Sequence, residues 1–239
     1  TDYADGTKTQ SSYDDRGQVI ARTDQMNRTT HYLYDALGRL TAIVDPLNQR
    51  SEYAYDEAGN LVSQKDANGH VMSYEYDDLG RRTATVLPAL AGQRPFRSTT
   101  QYDAVGSIVS TTDFNGNTIA FAYDERNRLI AKDYPDGTSF QFTYTLTGQW
   151  ATVTNGRGAT HYVYDARDRL LSRTDPDTTV ISYLYDALGN RTAVTTPAGI
   201  TTYAFDALGR QTTVTDPDGG VTRYTYDASR RILTITNPC

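Results

Sequence analysis

The chain has 239 residues, of which 38% are apolar and 22% are charged, and it contains no apolar run as long as a membrane span. Its 29 acidic residues outnumber its 23 basic residues, and the basic residues are scattered singly, so we exclude a nucleic-acid-binding surface. The one cysteine, Cys239, cannot form an internal disulfide, so we expect stability to come from packing and strand pairing.

An aromatic residue, followed in ten of eleven cases by aspartate, recurs along the whole chain and defines position 0 of a repeat. Most steps between these anchors are 20 or 21 residues, and one is 26 residues. The anchors are Tyr13, Tyr34, Tyr55, Tyr76, Tyr102, Tyr123, Tyr144, Tyr164, Tyr185, Phe205 and Tyr226. We therefore expect a single repeat array over residues 1–239, and we expect it to be a piece of a longer array because both ends fall inside a repeat.

Each unit contains two predicted turns. The first has Asp at position +1 and, in eight units, Gly at +4, which favours a type I turn closed by a glycine with positive φ. The second begins at +11, as in the Asp-Ala-Asn-Gly segment at residues 66–69. The spacers between turns are about six residues long and rich in Thr, Val, Ile, Tyr and Leu, which is typical of strands. The sequence thus predicts an all-β hairpin meander of about 22 strands without a helix of useful length.

The anchors, aspartates and glycines are the residues that we expect to define the structural repeat. They are Tyr34, Asp35, Gly38, Tyr55, Asp56, Gly59, Tyr76, Asp77, Gly80, Tyr102, Asp103, Gly106, Tyr123, Asp124, Tyr164, Asp165, Tyr185, Asp186, Gly189, Phe205, Asp206, Gly209, Tyr226 and Asp227.

The spacing of large and small side chains predicts how the strands pair. Position −2 is aromatic in nine units and position +8 is small in all eleven. A three-residue first loop would place position 0 opposite +6 and position −2 opposite +8, so that rings face small partners. Because 21 is an odd count, one residue must be absorbed, and we predict a bulge or longer turn just after +14. The 20-residue units would lose that residue within 158–162 and 199–203, and Leu87–Phe96 would form a longer surface loop.

Residues that could carry chemistry are few. His31 and His161 fall at position −3 and His70 follows a second turn, and none has the partners of a metal or acid-base site, so we interpret them as surface residues. The aspartate-rich turns lack the spacing of a calcium loop. Cys239 does not lie in a nucleophile motif. We therefore predict no catalytic, metal-binding or cofactor-binding residue; stacking of tyrosines on sugar rings stays open as an alternative to packing.

Three segments carry a family resemblance: YDALGRL at residues 34–40, YDALGN at 185–190 and FDALGR at 205–210. Together with the tandem copies, they resemble the YD repeats of the Rhs family across essentially all 239 residues. The resemblance implies a curved, spiralling antiparallel sheet that is part of a hollow shell, as in bacterial Rhs effectors, the toxin-complex cocoon and the teneurin ectodomain. Family shells end in an aspartate-based self-cleavage segment, which this chain lacks, and the Asp-Pro pairs at 45, 175 and 216 lie at ordinary turn positions.

Two functions follow as expectations. The first is a structural segment of a shell that encapsulates a C-terminal toxin domain of a secreted or translocated bacterial effector, a polymorphic toxin of the kind linked to type VI secretion. Its partners would be neighbouring YD repeats and the enclosed toxin, with self-association through cut sheet edges as a further possibility. The alternative is a cell-surface recognition module that binds carbohydrate or a protein partner. We expect neither an enzyme, nor a cofactor, nor a nucleic-acid partner, nor a membrane span.

Overall fold

A computed structural model describes residues 1, 8–89 and 94–237. Over these residues the chain forms 22 strands and no helix, and each paired strand runs antiparallel to its neighbour in sequence. The predicted all-β hairpin meander is therefore confirmed. The chain divides into two compact parts, Thr1–Ala120 and Phe121–Cys239, which are described separately below. They are called the first unit and the second unit, and each contains several repeats.

The strands of the first unit are joined by alternating first and second turns. They are β1 (Gln10–Tyr13), β2 (Val19–Thr23), β3 (Thr29–Tyr34), β4 (Leu40–Val44), β5 (Arg50–Tyr55), β6 (Leu61–Lys65), β7 (Val71–Tyr76), β8 (Arg82–Val86), β9 (Arg97–Tyr102) and β10 (Ile108–Thr112). The boundary between the units falls within β11 (Thr118–Tyr123).

The second unit continues the same alternation of strands and turns. Its strands are β12 (Leu129–Asp133), β13 (Ser139–Tyr144), β14 (Trp150–Asn155), β15 (Gly158–Tyr164), β16 (Leu170–Thr174), β17 (Val180–Tyr185), β18 (Arg191–Thr196), β19 (Gly199–Phe205), β20 (Gln211–Thr215), β21 (Val221–Tyr226) and β22 (Ile232–Thr236).

The first turns have the geometry that the sequence predicts. In the unit anchored at Tyr34, the Gly38 N–H donates to the Asp35 carbonyl and the Asp35 N–H donates to the Arg39 carbonyl, both at 3.0 Å. The Asp35 Oδ1 accepts from the N–H groups of Leu37 and Arg39 at 2.9 Å, so the carboxylate holds the loop closed. Gly38 has a φ of 82°, a left-handed conformation that glycine adopts without steric cost.

The strand register confirms one predicted pairing and corrects another. Tyr34 lies opposite Leu40, so position 0 does pair with +6. Leu33 then lies opposite Ala42 and Tyr32 opposite Ile43, so position −2 pairs with +9 and not with +8. The prediction that aromatic rings face the small +8 residues was therefore wrong. The small residues lie on the opposite face of the sheet, where Ala42 is fully buried.

This register also corrects the position of the bulge. The extra residue is absorbed at +7, directly after the first hairpin turn, in every first hairpin whose pairing the structure describes. It had been predicted after +14, because counting residues shows that one must be absorbed but gives no information about where. The second hairpin pairs regularly, with +9 opposite −4 of the next unit, as Ile43 lies opposite Ser51.

The two 20-residue units differ in the second turn itself. Asn155 pairs with Gly158 and Thr196 pairs with Gly199, which leaves two-residue loops at 156–157 and 197–198. The lost residue thus comes from a shortened loop and not from the strand that follows it. In the 26-residue unit, the Leu87 N–H donates to the Phe96 carbonyl at 2.8 Å and closes the base of the predicted surface loop, of which residues 90–93 lie outside the described part.

In each of the two compact units, the register keeps the anchors and the −2 aromatics on one face of the sheet. This face is called the ring face below. In the second unit four rings on three consecutive strands form a row, with centroid separations of 6.4 Å for Phe140–Phe142 within β13, 6.0 Å for Phe142–Trp150 and 6.3 Å for Trp150–Tyr162. Such separations are typical of aromatic pairs that stabilise a fold. Among the described residues only three apolar side chains are buried, all of them alanines at +8, so the sheet lacks a thick core.

Candidate functional site

The feature that recurs most regularly outside the strands is a set of contacts between neighbouring first hairpins, which we call the staple. It consists of Asp at +1, Arg at +5 and the anchor tyrosine of the next unit. In one unit the Arg169 guanidinium binds Asp165 Oδ2 at 2.6 Å and lies over the Tyr185 ring at 4.7 Å from the centroid. Its Nη1 also donates to the Asp186 carbonyl of the next turn at 3.1 Å.

The staple is built by local geometry that the turn already imposes. The Asp165 Oδ1 accepts from backbone N–H groups of its own loop, which leaves Oδ2 free for the guanidinium four residues on. The planar fork of arginine suits a carboxylate on one side and an aromatic face on the other. Five units contain all three components, with guanidinium–centroid distances of 4.5–4.8 Å; their arginines are Arg39, Arg81, Arg128, Arg169 and Arg210.

The anchor hydroxyls add a second link between units. The Tyr185 hydroxyl donates to the carbonyl of Leu170, the +6 residue of the preceding unit, at 3.0 Å. Seven anchors make this bond, at 2.6–3.2 Å: Tyr34, Tyr55, Tyr76, Tyr102, Tyr144, Tyr185 and Tyr226. Each of these tyrosines therefore bonds to the unit before it, and five of them also lie beneath its arginine.

The sequence matches a family whose members carry this repeat. Residues 5–170 match the Teneurin YD-shell family, which is more than half of the chain. The chain belongs to the YD-shell family. Residues 164–202 and 205–238 also match the RHS Repeat family, so the resemblance to YD repeats of the Rhs type is confirmed. No curated protein matches this YD-shell chain.

Several solved structures share the fold of this YD-shell chain. A crystal structure of TcdB2-TccC3-TEV has a TM-score of 0.62 at 18% identity and covers 99% of this chain and 15% of that one. For TcdB2-TccC3-Cdc42 the TM-score is 0.53 at 17% identity, with coverage of 97% and 19%. A Tc holotoxin pore of Photorhabdus luminescens gives 0.50 at 16% identity, with coverage of 97% and 19%. The chain thus spans less than a fifth of the length of each structure.

At most YD turns the aspartate at position +1 has a lowered pKa and is held in its charged form. The Arg169 side chain, with the Arg169 N–H, lowers the pKa of Asp165 from 3.8 to about 2. In the same way Arg28 lowers the pKa of Asp24, and Arg128 lowers that of Asp124. Where +5 is asparagine, its side-chain amide replaces the guanidinium, and Asn60 lowers the pKa of Asp56. One staple chemistry therefore recurs in several variants.

The histidines of this YD-shell chain lie apart from one another. His31 and His161 are exposed at position −3 of their strands, and His70 Nδ1 lies 2.9 Å from Asp66 Oδ2 in an exposed turn. Within residues 1, 8–89 and 94–237 no group of three potential metal ligands comes together. Cys239 lies outside the described residues. The described part also contains no apolar helix long enough to cross a bilayer.

A depression of about 730 Å³ lies at the second-turn side of the first unit. Its lining includes Thr23, Asp24, Arg28 and Tyr32, and the Arg28 guanidinium binds Asp24 at 2.7 Å. Asp24 and Arg28 in this depression thus pair with each other, as Asp165 and Arg169 do at a YD turn.

The repeat pattern predicts the anchor tyrosines and the aspartates of the staple but not its arginine. The signal was present, because Arg follows the +4 residue directly in six units. Its role depends on the lateral distance between neighbouring hairpins, which a reading of one hairpin at a time does not reveal.

Proposed function

We propose that this chain is a segment of shell wall that encloses a C-terminal toxin domain of a secreted bacterial effector. The function is steric: a hydrogen-bonded sheet keeps the enclosed domain from proteases and from its target until delivery. No catalytic role is proposed for the chain. Its partners would be further YD repeats, with which its eleven units form one array, and the enclosed domain.

The observation that carries this proposal is the staple. A sheet with almost no buried core would open easily between hairpins if it were held by backbone hydrogen bonds alone. Here the first hairpins are joined to their neighbours by a guanidinium stack, a guanidinium hydrogen bond to a main-chain carbonyl and a tyrosine hydroxyl, as Arg169 and Tyr185 show. Similarity to the Tc structures supports a wall role, and the enclosed toxin and its export are part of the proposal.

Limited proteolysis of the full-length protein tests containment. The natural protein, including the region that follows this array, is compared with that downstream region expressed alone. We expect the downstream region to resist protease in the full-length protein and to be cleaved when alone. Equal cleavage in both would contradict containment.

Two variants of one loop, one that strains the wall and one matched control, test whether the wall itself provides the protection. Gly189 has a φ of 97°, so Gly189→Val strains the turn, and we expect it to increase cleavage of the enclosed region. Leu188→Ser at the same loop changes an exposed side chain without touching the backbone, and we expect it to leave protection unchanged.

A second candidate function is carbohydrate recognition on the ring face. Trp150 is 48% exposed although it lies between Phe142 and Tyr162 in the row of rings, and exposed aromatic faces bind the apolar faces of sugars. Because Trp150 is the only tryptophan, its fluorescence reports binding directly. Saturable quenching by a glycan panel, lost in Trp150→Leu, would favour this function, and a flat response across the panel would count against it.

A further inference from the structure

One face of the second unit has no Asp, Glu, Lys or Arg over eight consecutive strands. Antiparallel partners point their side chains to the same side, so the register traces one face from strand to strand. Thr143 pairs with Thr152, Thr152 with His161 and His161 with Thr174, and the sequence of pairs continues to Thr215 on β20. This face lies opposite the ring face.

Eight described strands, β13–β20, contribute twenty side chains to this surface, which we call the uncharged face. They are Ser139, Gln141, Thr143, Thr152, Thr154, Ala159, His161, Val163, Ser172, Thr174, Val180, Ser182, Leu184, Ala193, Thr195, Ile200, Thr202, Ala204, Thr213 and Thr215. None is Asp, Glu, Lys or Arg, whereas the chain average of 22% charged residues would place about four among twenty positions. The charged residues Asp133 and Arg223 lie just beyond it on β12 and β21.

The same repeat positions in the first unit carry ion pairs. Arg50 Nε binds Glu52 Oε1 at 2.8 Å and Lys65 Nζ binds Glu52 Oε2 at 3.3 Å, while Arg97 pairs with Glu75. The repeat therefore tolerates charge at these positions. Its absence over eight consecutive strands is a property of the second unit and not of the fold.

The uncharged face is also exposed and partly apolar. Val163, Val180, Leu184 and Ile200 are 52%, 48%, 61% and 53% exposed, so they contribute little to packing within the chain. A contiguous exposed patch of this kind marks an interaction surface. Surface charge is the usual protection against association of sheets, and here it is missing.

We infer that the uncharged face is an interface at which two copies of this chain pack sheet against sheet. A copy presents the same surface, so a two-fold contact leaves no charge buried without a partner. Sheets stacked face to face interdigitate β-branched side chains, which dominate this surface. The hydroxyls of Thr143 and Thr152 need not lose a partner on burial, because they already bond to each other at 2.6 Å.

The size of the face suits a stable dimer. Eight strands about 4.8 Å apart, each presenting about five residues of roughly 3.3 Å, give a plan area on the order of 600 Å². Two copies would then bury about 1,200 Å², which exceeds the roughly 1,000 Å² expected of a specific interface. This inference is independent of what the shell encloses.

Sedimentation velocity of the purified chain tests the interface at concentrations from about 1 to 100 µM. We expect a dimer that persists in about 1 M NaCl, because the contact contains no ion pair to screen. Leu184→Glu and Leu184→Lys should each weaken association at least about tenfold, since either charge would be buried without a partner. Far-UV circular dichroism checks that these variants stay folded.

Leu33→Glu is the matched control, because Leu33 occupies the same repeat position −1 in the first unit and is 39% exposed. We expect this variant to dimerise like the unaltered chain. A chain that is monomeric at about 100 µM would overturn the inference. So would a folded Leu184→Glu variant that dimerises normally, because pairing through strand edges would then account for the association.

Discussion

The hydroxyl of the anchor tyrosine is the component of the staple that can be removed most cleanly. Tyr185→Phe deletes only the oxygen that donates to the Leu170 carbonyl at 3.0 Å and keeps the ring beneath Arg169. The chain offers the reverse change one unit later, where the anchor is Phe205. Phe205→Tyr would place a hydroxyl near the carbonyl of Arg191, which is the corresponding +6 residue.

The magnitude follows from one partly buried hydrogen bond. Such a bond contributes about 0.5–1.5 kcal/mol net to the free energy of unfolding. Tyr185→Phe should therefore lower the stability by about 1 kcal/mol, and Phe205→Tyr should raise it by a similar amount. For a chain of this size a change of about 1 kcal/mol corresponds to a Tm shift of about 2–4 °C.

Urea and thermal unfolding, followed by far-UV circular dichroism, measure both changes, because this signal reports on the strands of every repeat. Opposite shifts of similar size would confirm that the hydroxyl links neighbouring units. If Tyr185→Phe changes the free energy by less than about 0.3 kcal/mol and Phe205→Tyr gives no gain, the hydroxyl contributes nothing measurable and the reasoning about the staple is refuted.

Three further predictions concern the second unit. Thr178 has a φ of 68°, which a β-branched residue adopts with strain, so Thr178→Gly should raise the free energy of unfolding by about 1 kcal/mol in urea titrations. Gly219→Thr at the same repeat position should lower that free energy. Shifts of the same sign would contradict this reasoning. Because the pKa of Asp165 falls from 3.8 to about 2 on folding, its stabilising effect is complete above about pH 4 and is lost as the pH falls towards 2. The Tm measured between pH 5 and 2 should therefore fall less steeply in Asp165→Asn, and an identical pH profile would rule out this linkage. Arg169→Gln should lower the free energy of unfolding by about 0.5–1 kcal/mol through the lost stack on Tyr185 alone, as measured by thermal melts. A melt identical to that of the unaltered chain would show that the stack is not stabilising.

Much of the fold follows from the sequence because each turn is specified within five residues. Asp at +1 and Gly at +4 define the loop of residues 35–39 without reference to any other strand, and the strands between turns are short and β-branched. The position of the bulge at +7 could not be derived in this way. A count of 21 residues fixes the parity of the repeat, but any site of absorption restores it, and the choice depends on how the ladder continues beyond Leu40.

The arginine of the staple escaped prediction for a different reason. Asp35 was interpreted only as a turn former, which accounts for Oδ1 and leaves Oδ2 unexplained. The second oxygen receives Arg39, which then reaches Tyr55 of the next unit. Contacts between units depend on the lateral spacing of hairpins, and no pattern within one unit contains that distance.

These interactions explain how a sheet with three buried alanines can be stable. Without a shared core, each unit gains its free energy from its own turns and from its two neighbours, which is the energetic regime of linear repeat arrays. Loss of one staple in such an array should open the sheet at that place and leave distant repeats folded. A wall built on this principle depends on the continuity of its staples more than on the strength of any one of them, because a passenger or a protease needs only a single local opening. The regular recurrence of the anchor tyrosine along the chain is what such a wall requires.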